Sequence, residues 1–487
     1  MTGRGALFIR RVLIILFWIA LWQAVAVLVD NPLYFASPRR TLSELSQRIT
    51  ERVFLSSVLM SLLRILSGFS AAALSGLVLA LLSYKHPFSE EFFKPLVVFL
   101  RTVPVAAVVV VLLIWFGSAR LSLYITFMVV FPNVYINALT GLKETDTGLI
   151  EMATVFRMSA VNRFLYIYRP AYLPYLKAAL RQSLGMSFKS GIAAEIIGLP
   201  ELSIGERLYM DKIYLNTAGV FSWMIVILIV LTLTEKLLFD LLPYLFRKIS
   251  ARLPGPESGA GVAARKAVPV SISLSGLCKS YGDNIVFKDL TLCFRQDSTY
   301  IISGVSGIGK TTLLKLIAGL TSPDLGSVRF VRTDPPSDRA LRRKPRFSLK
   351  KASENGIPPL RVSMCFQENR LIEEQNACSN LRICGCTGEP AEELSRVFPE
   401  GVPGEKVSGL SGGMKRRVAV LRAMLSPSDI VLLDEPFTGL DAENRKRLCE
   451  YIKARRNGRL LIIVSHDPVC ESFPEAETLN IGKLSQE

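Results

Sequence analysis

Gly304-Val-Ser-Gly-Ile-Gly-Lys-Thr311 follows the pattern G-x-x-x-x-G-K-[ST]. The apolar residues 300–302 before this stretch predict a strand, and residues 312–317 after it predict a helix. Glycines at such a turn let a phosphate approach the backbone N–H groups closely, and the lysine can reach the same phosphate. The stretch therefore predicts a nucleotide-binding loop. Its candidate binding residues are Gly304, Ser306, Gly307, Gly309, Lys310, Thr311 and Thr312.

Composition indicates a second, membrane-embedded half. The chain has 487 residues, 50% of them hydrophobic, and a mean hydropathy of +0.35, which is too long for one domain and too apolar for a wholly soluble protein. Five apolar runs are close to the length that crosses a bilayer: residues 12–29, 62–82, 96–116, 121–139 and 221–242. A sixth, at 173–199, carries Lys177, Arg181, Lys189 and Glu195, so it is either a span or an amphipathic, cavity-lining helix.

The first run has an alternative interpretation as a secretory signal, because Arg10 and Arg11 precede it and Ala24-Val-Ala26 offers a small-residue site. If it is retained, six spans bring both termini to one side. Basic residues within 143–177 and 247–265 then indicate that this side is cytoplasmic. Four arginines of the first external loop disagree with that rule: Arg39, Arg40, Arg48 and Arg52.

The net charge of +17 does not predict a nucleic-acid partner, because the excess is spread over both halves. Cytoplasmic loops of membrane proteins account for such an excess. One run, residues 339–351, has seven basic side chains and no acidic one. It is interpreted as a solvated insertion, with contact to anionic lipid as the alternative.

The cysteines and histidines argue against a metal centre. All eight cysteines follow residue 270, in the half expected to be cytoplasmic, and should be reduced thiols. Cys384-Gly-Cys386 is too closely spaced for a CxxC site, and the chain has only two histidines. The one metal expected is Mg²⁺ carried by the nucleotide.

The domain organisation follows from composition. Residues 1–250 form the expected transmembrane domain, and residues 251–267, rich in Pro, Gly and Ala, form a linker. Residues 268–487 alternate short β-rich runs with helical patterns, which predicts an α/β domain around a largely parallel sheet. The expected strands are 270–274, 299–303, 430–433 and 460–464.

The strand at 430–433 ends in two carboxylates, Asp434 and Glu435. In phosphoryl transfer, one carboxylate at such a position holds Mg²⁺ while the next residue faces the attacking water. Asp434 is therefore the candidate metal ligand, and Glu435 is the candidate general base.

Several further motifs resemble ABC ATPases. Leu410-Ser-Gly-Gly-Met414 resembles their signature loop, and Asp434-Glu-Pro-Phe-Thr-Gly-Leu-Asp441 resembles their Walker B motif and D-loop. The resemblance implies a P-loop NTPase domain that pairs with a second copy, so that two ATP molecules lie between them. Each ATP would contact the residue 304–311 loop of one copy and the signature loop of the other.

The resemblance also implies roles for individual residues. Gln367, at the Q-loop position, and His466, at the switch position, would act with Glu435 in catalysis. Mg²⁺ would be held by Thr311, Gln367 and Asp434. The remaining ATP-binding residues would be Tyr281, which stacks on adenine, together with Ser411, Gly412, Gly413 and Asp441.

The membrane half resembles importer permeases. Glu151-Met-Ala153, followed by Ile167-Tyr-Arg-Pro170, is similar to their EAA loop, with Met152, Arg157 and Arg169 in place of the usual alanine, glycine and leucine. Residues 61–69, 101–104 and 194–195 are similar to permeases of the nitrate, sulfonate and taurine class.

Together these resemblances imply an ATP-driven importer of type I with permease and ATPase fused in one chain. It would lie in the cytoplasmic membrane as a multi-pass protein, with its ATPase domain in the cytoplasm. A homodimer would move a small molecule delivered by a separate extracytoplasmic solute-binding protein. Two alternatives remain: a half-size exporter, and a membrane-anchored ATPase that transmits force or a signal. Charges within 173–199 favour a polar pathway through the membrane.

Overall fold

The computed structural model describes residues 3–241, 243, 268–305, 307–332, 360–401, 404–465 and 473–481. By their contacts these residues divide into two compact units. The first, here called the membrane unit, comprises the described residues up to Thr145 and those from Pro170 to Leu241. The second, the ATPase unit, comprises Asp146–Arg169 and the described residues from 268 onward. The expected linker 251–267 and the basic run 339–351 lie outside the described residues.

The described membrane unit is helical. Its helices are α1 (Gly3–Val29), α2 (Pro38–Ile49), α3 (Arg52–Lys85), α4 (Pro87–Thr102), α5 (Val105–Phe116), α6 (Ser118–Lys143), α9 (Arg169–Gly198), α10 (Ile204–Ile213) and α11 (Thr217–Lys236), and the last continues in a π-helical turn over Leu237–Leu241. Helices α3 and α6 pack along each other around a shared apolar cluster that includes Ile65, Phe69 and Val134.

Four helices of the described chain are long and apolar enough to cross a membrane: Ile9–Val29, Arg52–Lys85, Ser118–Lys143 and Thr217–Leu241. The expected span at residues 96–116 is not one straight helix, because α4 and α5 meet there at a bend of 102°. Val103 and Pro104 are extended at this break. Proline lacks the N–H that a helix needs and disfavours helical geometry in the preceding residue. Counting the bent pair as one span gives five.

The sixth expected span, at 173–199, is helical but polar. It lies within α9, and its charged side chains exclude it from the helices that qualify by apolar composition. Arg181 of this helix pairs with Glu235 at 2.7 Å and with Asp240 at 3.4 Å. Whether α9 crosses the bilayer stays a prediction.

A buried polar cluster joins three helices of the membrane unit. Glu195 of α9 is fully buried, and its Oε2 accepts hydrogen bonds from Ser61 Oγ of α3 at 2.6 Å and from the N–H of Gly205 in α10 at 3.3 Å. The Ser61 hydroxyl oxygen accepts the N–H of Ile204 at 2.9 Å. Arg64 Nη1 lies 3.8 Å from Glu195 Oε1. Glu195 thus accepts an N–H group in the first turn of α10, after the capping Ser203, which gives this buried carboxylate a structural task.

We expect Gly205→Ala to destabilise the membrane unit. A Cβ at Gly205 would lie 2.3 Å from the Cβ of Glu195 and 2.5 Å from its backbone carbon, so α9 and α10 would have to separate. Overpacking of this kind costs about 1–3 kcal/mol, and we expect a lower melting temperature for the purified chain in detergent. Gly185→Ala, at a helical glycine with open space around it, is the matched control and should leave melting unchanged. Equal melting of both variants would contradict the tight contact.

One of the four arginines that disagreed with the basic-residue rule is neutralised. Arg48 of α2 lies 2.8 Å from Glu44 and 2.6 Å from Asp211, and its guanidinium lies 5.9 Å from the ring centre of Trp223. Two carboxylates of the same unit therefore hold Arg48 in place.

The ATPase unit contains two sheets. The strands are β1 (Val270–Tyr281), β2 (Asn284–Phe294), β3 (Thr299–Ser303), β4 (Leu325–Arg332), β5 (Val362–Cys365), β6 (Ile430–Asp434), β7 (Leu460–Val464) and β8 (Glu477–Asn480). One sheet is antiparallel in the order β2-β1-β4, and the other is parallel in the order β5-β6-β7-β3-β8. The predicted α/β domain with a largely parallel sheet is confirmed.

The burial of the central strands explains why their sequences are continuously apolar. Every residue of β6 and β7 is buried, as expected for a parallel sheet covered on both faces. The described helices of this unit are α7 (Thr147–Val155), α8 (Ala160–Arg163), α12 (Lys310–Ile317), α13 (Ala377–Ile383), α14 (Pro390–Ser395), α15 (Gly412–Leu425) and α16 (Ala442–Arg455), with a π-helical turn at Phe164–Tyr168 and a 3₁₀ turn at Val407–Gly409.

The EAA-like segment packs with the ATPase unit. Met152 and Ala153 of α7 are fully buried in the apolar cluster that also contains Ile272, Leu313 and Met364. Burying a methionine side chain contributes about 1.5–3 kcal/mol. The apolar face of α7 therefore holds the segment on the ATPase unit, although the chain places it between α6 and α9.

Candidate functional site

The parallel sheet positions one cavity at the carboxyl ends of its strands. The predicted loop follows β3 and leads into α12, with the left-handed Gly309 (φ +100°) just before the helix. A Cβ at this glycine would lie 2.4 Å from Val286 and 2.8 Å from Phe287. The turn therefore requires glycine both for its φ angle and for its close packing.

Eight of the predicted site residues line this cavity of about 240 Å³: Gly307, Gly309, Lys310, Thr311, Thr312, Gln367, Asp434 and Glu435. They come from the loop, from the start of α12 and from the ends of the neighbouring strands β5 and β6. Since parallel strands end at one edge of a sheet, residues far apart in the chain meet here. Ser306 and His466 lie outside the described residues.

Lys310 is held against its own loop. Its Nζ donates to the carbonyl oxygen of Gly304 at 2.7 Å and to that of Val305 at 3.1 Å. Burial lowers the pKa of Lys310, while the charges of Glu435 and Asp434 act in the opposite direction. A buried ammonium in a glycine-rich loop that leads into a helix is suited to an anionic ligand such as a nucleotide phosphate.

Asp434 is the buried carboxylate of the site. It ends β6 and is 1% exposed. Burial raises its pKa and the negative charge of Glu435 adds to the rise, whereas a hydrogen bond from Thr311 opposes it. Asp434 Oδ2 is buried and has no hydrogen-bond partner among the described residues.

This arrangement fits a magnesium ion. Mg²⁺ prefers oxygen ligands, usually one or two carboxylates together with phosphate oxygens. The unpartnered oxygen of Asp434 and the hydroxyl of Thr311 supply such ligands, and the amide oxygen of Gln367 lines the same cavity.

Glu435 is held in an unusual backbone conformation. Its φ is +51°, which is uncommon for a residue other than glycine. The N–H of Glu435 donates to the carbonyl of Val464 at 2.9 Å, and its own carbonyl accepts from Arg416 Nε at 3.0 Å. Backbone strain of this kind is found at functional sites, where surrounding contacts maintain it.

Arg416 is the residue of this site that the sequence interpretation missed. It is 3% exposed and lies on α15, just after the signature-like loop. Its Nη1 donates to the carbonyls of Phe366 at 2.6 Å and Gln367 at 3.0 Å, and its Nη2 donates to the carbonyls of Asp434 and Glu435. One guanidinium thus joins the ends of β5 and β6 to α15. The available signal was its position: Arg416 shares a helix face with the fully buried Val420 and Ala423.

The signature-like loop lies elsewhere on the ATPase unit. Ser411 caps α15 by accepting the N–H of Met414 at 3.3 Å, and Gly413 lies so close to the carbonyl of Gly439 that a Cβ would approach it to 2.9 Å. Asp441 caps α16 by accepting the N–H of Asn444 at 2.8 Å. Within the described chain, neither Ser411–Gly413 nor Asp441 lines the cavity of Lys310.

Tyr281 also lies outside the lining of that cavity. It ends β1, is half exposed, and has Lys279 Nζ 5.3 Å from its ring centre. The structure thus brings the phosphate-loop and carboxylate residues together and leaves the tyrosine and the signature-like loop apart from them.

A second site is built around Glu151 of α7. Its Oε2 lies 2.5 Å from Arg370 Nη1 and 3.3 Å from Lys315 Nζ. Burial acts to raise the pKa of Glu151, but the hydrogen bond and charge of Arg370 and the charge of Lys315 outweigh it and lower the pKa. Arg370 lies three residues after Gln367, and Lys315 lies on α12, which begins at Lys310. Glu151 therefore contacts α12, which begins at the cavity, and the loop after β5, which carries Gln367.

Comparisons with known proteins identify the family of this chain. Residues 287–438 match the family model described as ABC transporter, and residues 68–248 match the one described as binding-protein-dependent transport system inner membrane component. An aliphatic sulfonates import ATP-binding protein from Nocardia farcinica is 30% identical over 206 residues, covering 41% of this chain and 73% of that protein. The chain belongs to the ABC transporter family, with a permease and an ATP-hydrolysing cassette in one polypeptide.

Of two further relatives, one has a name that states export and the other a name that states transport without a direction. An ergothioneine transport ATP-binding protein from Helicobacter pylori is 29% identical over 225 residues, covering 44% of this chain and 98% of that protein. A Nod factor export ATP-binding protein from Rhizobium johnstonii is 30% identical over 199 residues, and this chain covers 62% of its length. With its permease match and its apolar helices, the chain is an integral membrane protein that binds ATP.

Proposed function

We propose that this chain is an ATP-driven importer of a small solute. The observation that carries the proposal is the Glu151 site, where a segment continuous with membrane helices α6 and α9 is bound to the ATPase unit next to the nucleotide cavity. Import is supported by the permease match, whose description names a binding-protein-dependent system, and by the sulfonate import relative. A separate solute-binding protein would deliver the substrate.

The active form is proposed to be a homodimer. The described cavity holds a phosphate-binding lysine and two carboxylates, while Ser411–Gly413 lies at another surface of the same unit. A two-fold dimer would bring the capped start of α15 from one chain to the cavity of the other. Helix N–H groups there would face the terminal phosphate of ATP.

The residues of the cavity support a hydrolytic mechanism. Lys310 and the loop amides bind the phosphates, and Tyr281 is proposed to stack on the base. Glu435 would accept a proton from the water that attacks the terminal phosphate, while Gln367 and His466 orient that water and phosphate. Mg²⁺, held by Thr311, Asp434 and Gln367, would neutralise the phosphate charge when bound. Asp441 and Ser411–Gly413 would complete the site across the dimer.

Closure of the two ATPase units of the dimer would be transmitted to the membrane helices through Glu151. Arg370 follows the strand end that carries Gln367, so a shift of this loop moves the partner of Glu151 directly. A coupling between two sites requires such a connecting element with two arrangements. The segment from Asp146 to Arg169 is the proposed connecting element.

The position of the ATPase unit can be tested with the native cysteines. All eight lie after residue 270, and Cys293 is exposed. We expect a membrane-impermeant maleimide to label the chain in inverted vesicles but not in intact spheroplasts, with Cys293→Ser reducing the label. Labelling from the outside of spheroplasts would contradict a cytoplasmic ATPase unit.

The Glu151–Arg370 pair can be tested by hydrogen exchange. Glu151 is about a third exposed and Arg370 is mostly buried, so solvent screening limits the pair to about 1 kcal/mol. We expect Glu151→Gln and Arg370→Gln each to raise amide exchange in α7 by about fivefold, with little further increase in the double variant. The exposed pair Arg396–Glu392, 3.1 Å apart, is the control, and neutralising it should leave exchange of α7 unchanged. Additive effects of the two substitutions would contradict the pairing.

The stabilisation that the Glu151–Arg370 pair provides should depend on pH. Because the pKa of Glu151 is lowered from its ordinary value of 4.5, its ion pair stabilises the docked segment fully above that value. The stabilisation is lost as pH falls through the lowered pKa. Protection of α7 should therefore be constant from pH 7 to about pH 5 and decline below pH 4.5 in the parent chain but not in Glu151→Gln.

A further inference from the structure

A second cavity in the ATPase unit is lined by arginines. It has a volume of about 250 Å³ and lies between residues 155–162 of the EAA-like segment, the start of β5 and the ends of α13 and α15. Its charged lining consists of Arg157, Arg361 and Arg382, and none of the described residues that line it is acidic. It shares no lining residue with the nucleotide cavity.

Arg157 has a backbone conformation that glycine adopts more easily than arginine. Its φ is +50°, in the left-handed region that favours glycine. Its Nη2 donates to the carbonyl of Leu360 at 2.5 Å, which places the guanidinium beside Arg361. A strained residue that carries a long cationic side chain into a cavity indicates that the side chain has a task there.

The positive charges of this cavity are poorly compensated. Arg157 and Arg361 have no carboxylate within ion-pair distance in the described part of the chain, and Arg361 Nε is buried without a hydrogen-bond partner there. Asp429 acts on Arg157 by its charge, but its two oxygens accept the backbone N–H groups of Val268 and Arg361 at 2.9 Å each and form no ion pair with either arginine in the described chain. Burial and the charge of Arg361 lower the pKa of Arg157, with Asp429 opposing.

The remaining polar groups suit an anion. Arg382 Nη2 lies 2.9 Å from Glu389, but both side chains are about half exposed, which leaves its other guanidinium N–H groups available. The hydroxyls of Ser159 and Ser426 also line the cavity. Guanidinium groups match the oxygen geometry of phosphate and carboxylate better than any other side chain.

We propose that this cavity binds a small oxyanion of the phosphate type, supplied either as free phosphate, alone or on a small metabolite, or as a lipid headgroup. Bound between Arg157 and Arg361, the anion links the EAA-like segment to the core of the ATPase unit. It strengthens the attachment of that segment without touching the nucleotide cavity. An anion bound at this site sets the strength of coupling between the EAA-like segment and the ATPase unit. The proposal does not depend on the direction of transport.

The test measures binding of radiolabelled inorganic phosphate to the full chain in detergent. Lys310→Ala is included throughout, so that the nucleotide loop does not contribute. We expect saturable binding of one phosphate per chain and at least about tenfold weaker binding after Arg157→Gly, since a charged hydrogen-bonding group is lost. Glycine adopts φ +50° without strain, so this variant should fold, and melting will verify that it does. Arg396→Gln, at an exposed arginine outside the cavity, is the control and should bind like the parent.

Lipid discs distinguish the two sources of the anion. Phosphate binding that persists in discs of phosphatidylglycerol assigns the cavity to a soluble phosphate. Binding that persists in phosphatidylcholine but is lost in phosphatidylglycerol assigns it to a lipid headgroup, provided that ATP binding by the chain that keeps Lys310 is equal in the two kinds of disc. The absence of saturable binding in detergent and in phosphatidylcholine, or equal affinity of the parent and Arg157→Gly, would overturn the proposal.

Discussion

Glu435→Gln is expected to stop ATP hydrolysis while leaving ATP bound. The substitution keeps the size of the side chain but removes the group proposed to take the proton from water, a contribution of about 10²–10⁴-fold in rate. Lys310, Thr311 and Asp434 remain, so nucleotide binding should persist. Phosphate release and bound ATP, measured on the same purified sample in lipid, test both halves of the prediction.

The same variant tests the proposed homodimer. ATP that cannot be hydrolysed should hold two ATPase units together, so that native mass measurement gives twice the 53.9 kDa of one chain. Glu443→Gln is the control, because Glu443 is an exposed carboxylate paired with Arg447 on α16. It should hydrolyse ATP like the parent. Retained hydrolysis in Glu435→Gln would assign the base elsewhere, and an ATP-loaded single chain would contradict the homodimer.

Arg416→Met is expected to damage both stability and catalysis. Methionine fills a similar volume, but it leaves the carbonyls of Phe366, Gln367, Asp434 and Glu435 without their shared donor. A buried polar group left without a partner costs about 1–3 kcal/mol, so we expect a lower melting temperature. Since Arg416 positions the strand ends that carry Gln367 and Glu435, we also expect kcat to fall at least about tenfold, with a smaller change in KM for ATP.

The neighbouring lysine provides a matched control for this variant. Lys415 lies on the same helix, but its side chain is 23% exposed and pairs with the exposed Glu373 at 3.3 Å. Lys415→Met should change melting and ATPase activity little, because exposed ion pairs contribute about 0–1 kcal/mol. Arg416→Lys, which keeps the charge but not the fork of donors, should recover part of the stability and less of kcat. Full activity in Arg416→Met would show that the contacts of Arg416 are not needed for positioning.

Much of the fold could be predicted because its signals are local. The glycine-rich stretch 304–311, the apolar strands on either side of it and the capping serine at 411 act through neighbours in the chain, and the structure has β3, α12 and α15 where these signals place them. The long apolar runs likewise became helices. The break at Val103 and Pro104 was visible as a proline, but hydropathy averaged over a window of span length does not register one residue.

Most residues of the site could be predicted from the sequence, but their arrangement in space could not. Motif spacing selected Lys310, Gln367, Asp434 and Glu435, and these four line one cavity. Their roles stay predictions. Arg416 was hidden among the adjacent cations Lys415 and Arg417, because a basic run on a helix is usually solvated. In the structure Arg416 and Arg417 are both buried while Lys415 stays partly exposed, and the packing of α15 against β5 and β6 places Arg416 at the strand ends.

By itself, the amino-acid sequence determined the two-part organisation, the phosphate-binding loop and the order of the motifs, since each depends on residues close together in the chain. Tertiary structure decided which distant groups meet. It paired Glu151 with Arg370, placed Arg157 at φ +50° beside Arg361 and buried Met152 among strands of the ATPase unit. Such contacts depend on the burial of apolar surface between elements far apart in the chain, and a linear pattern records only that a face is apolar, not what covers it.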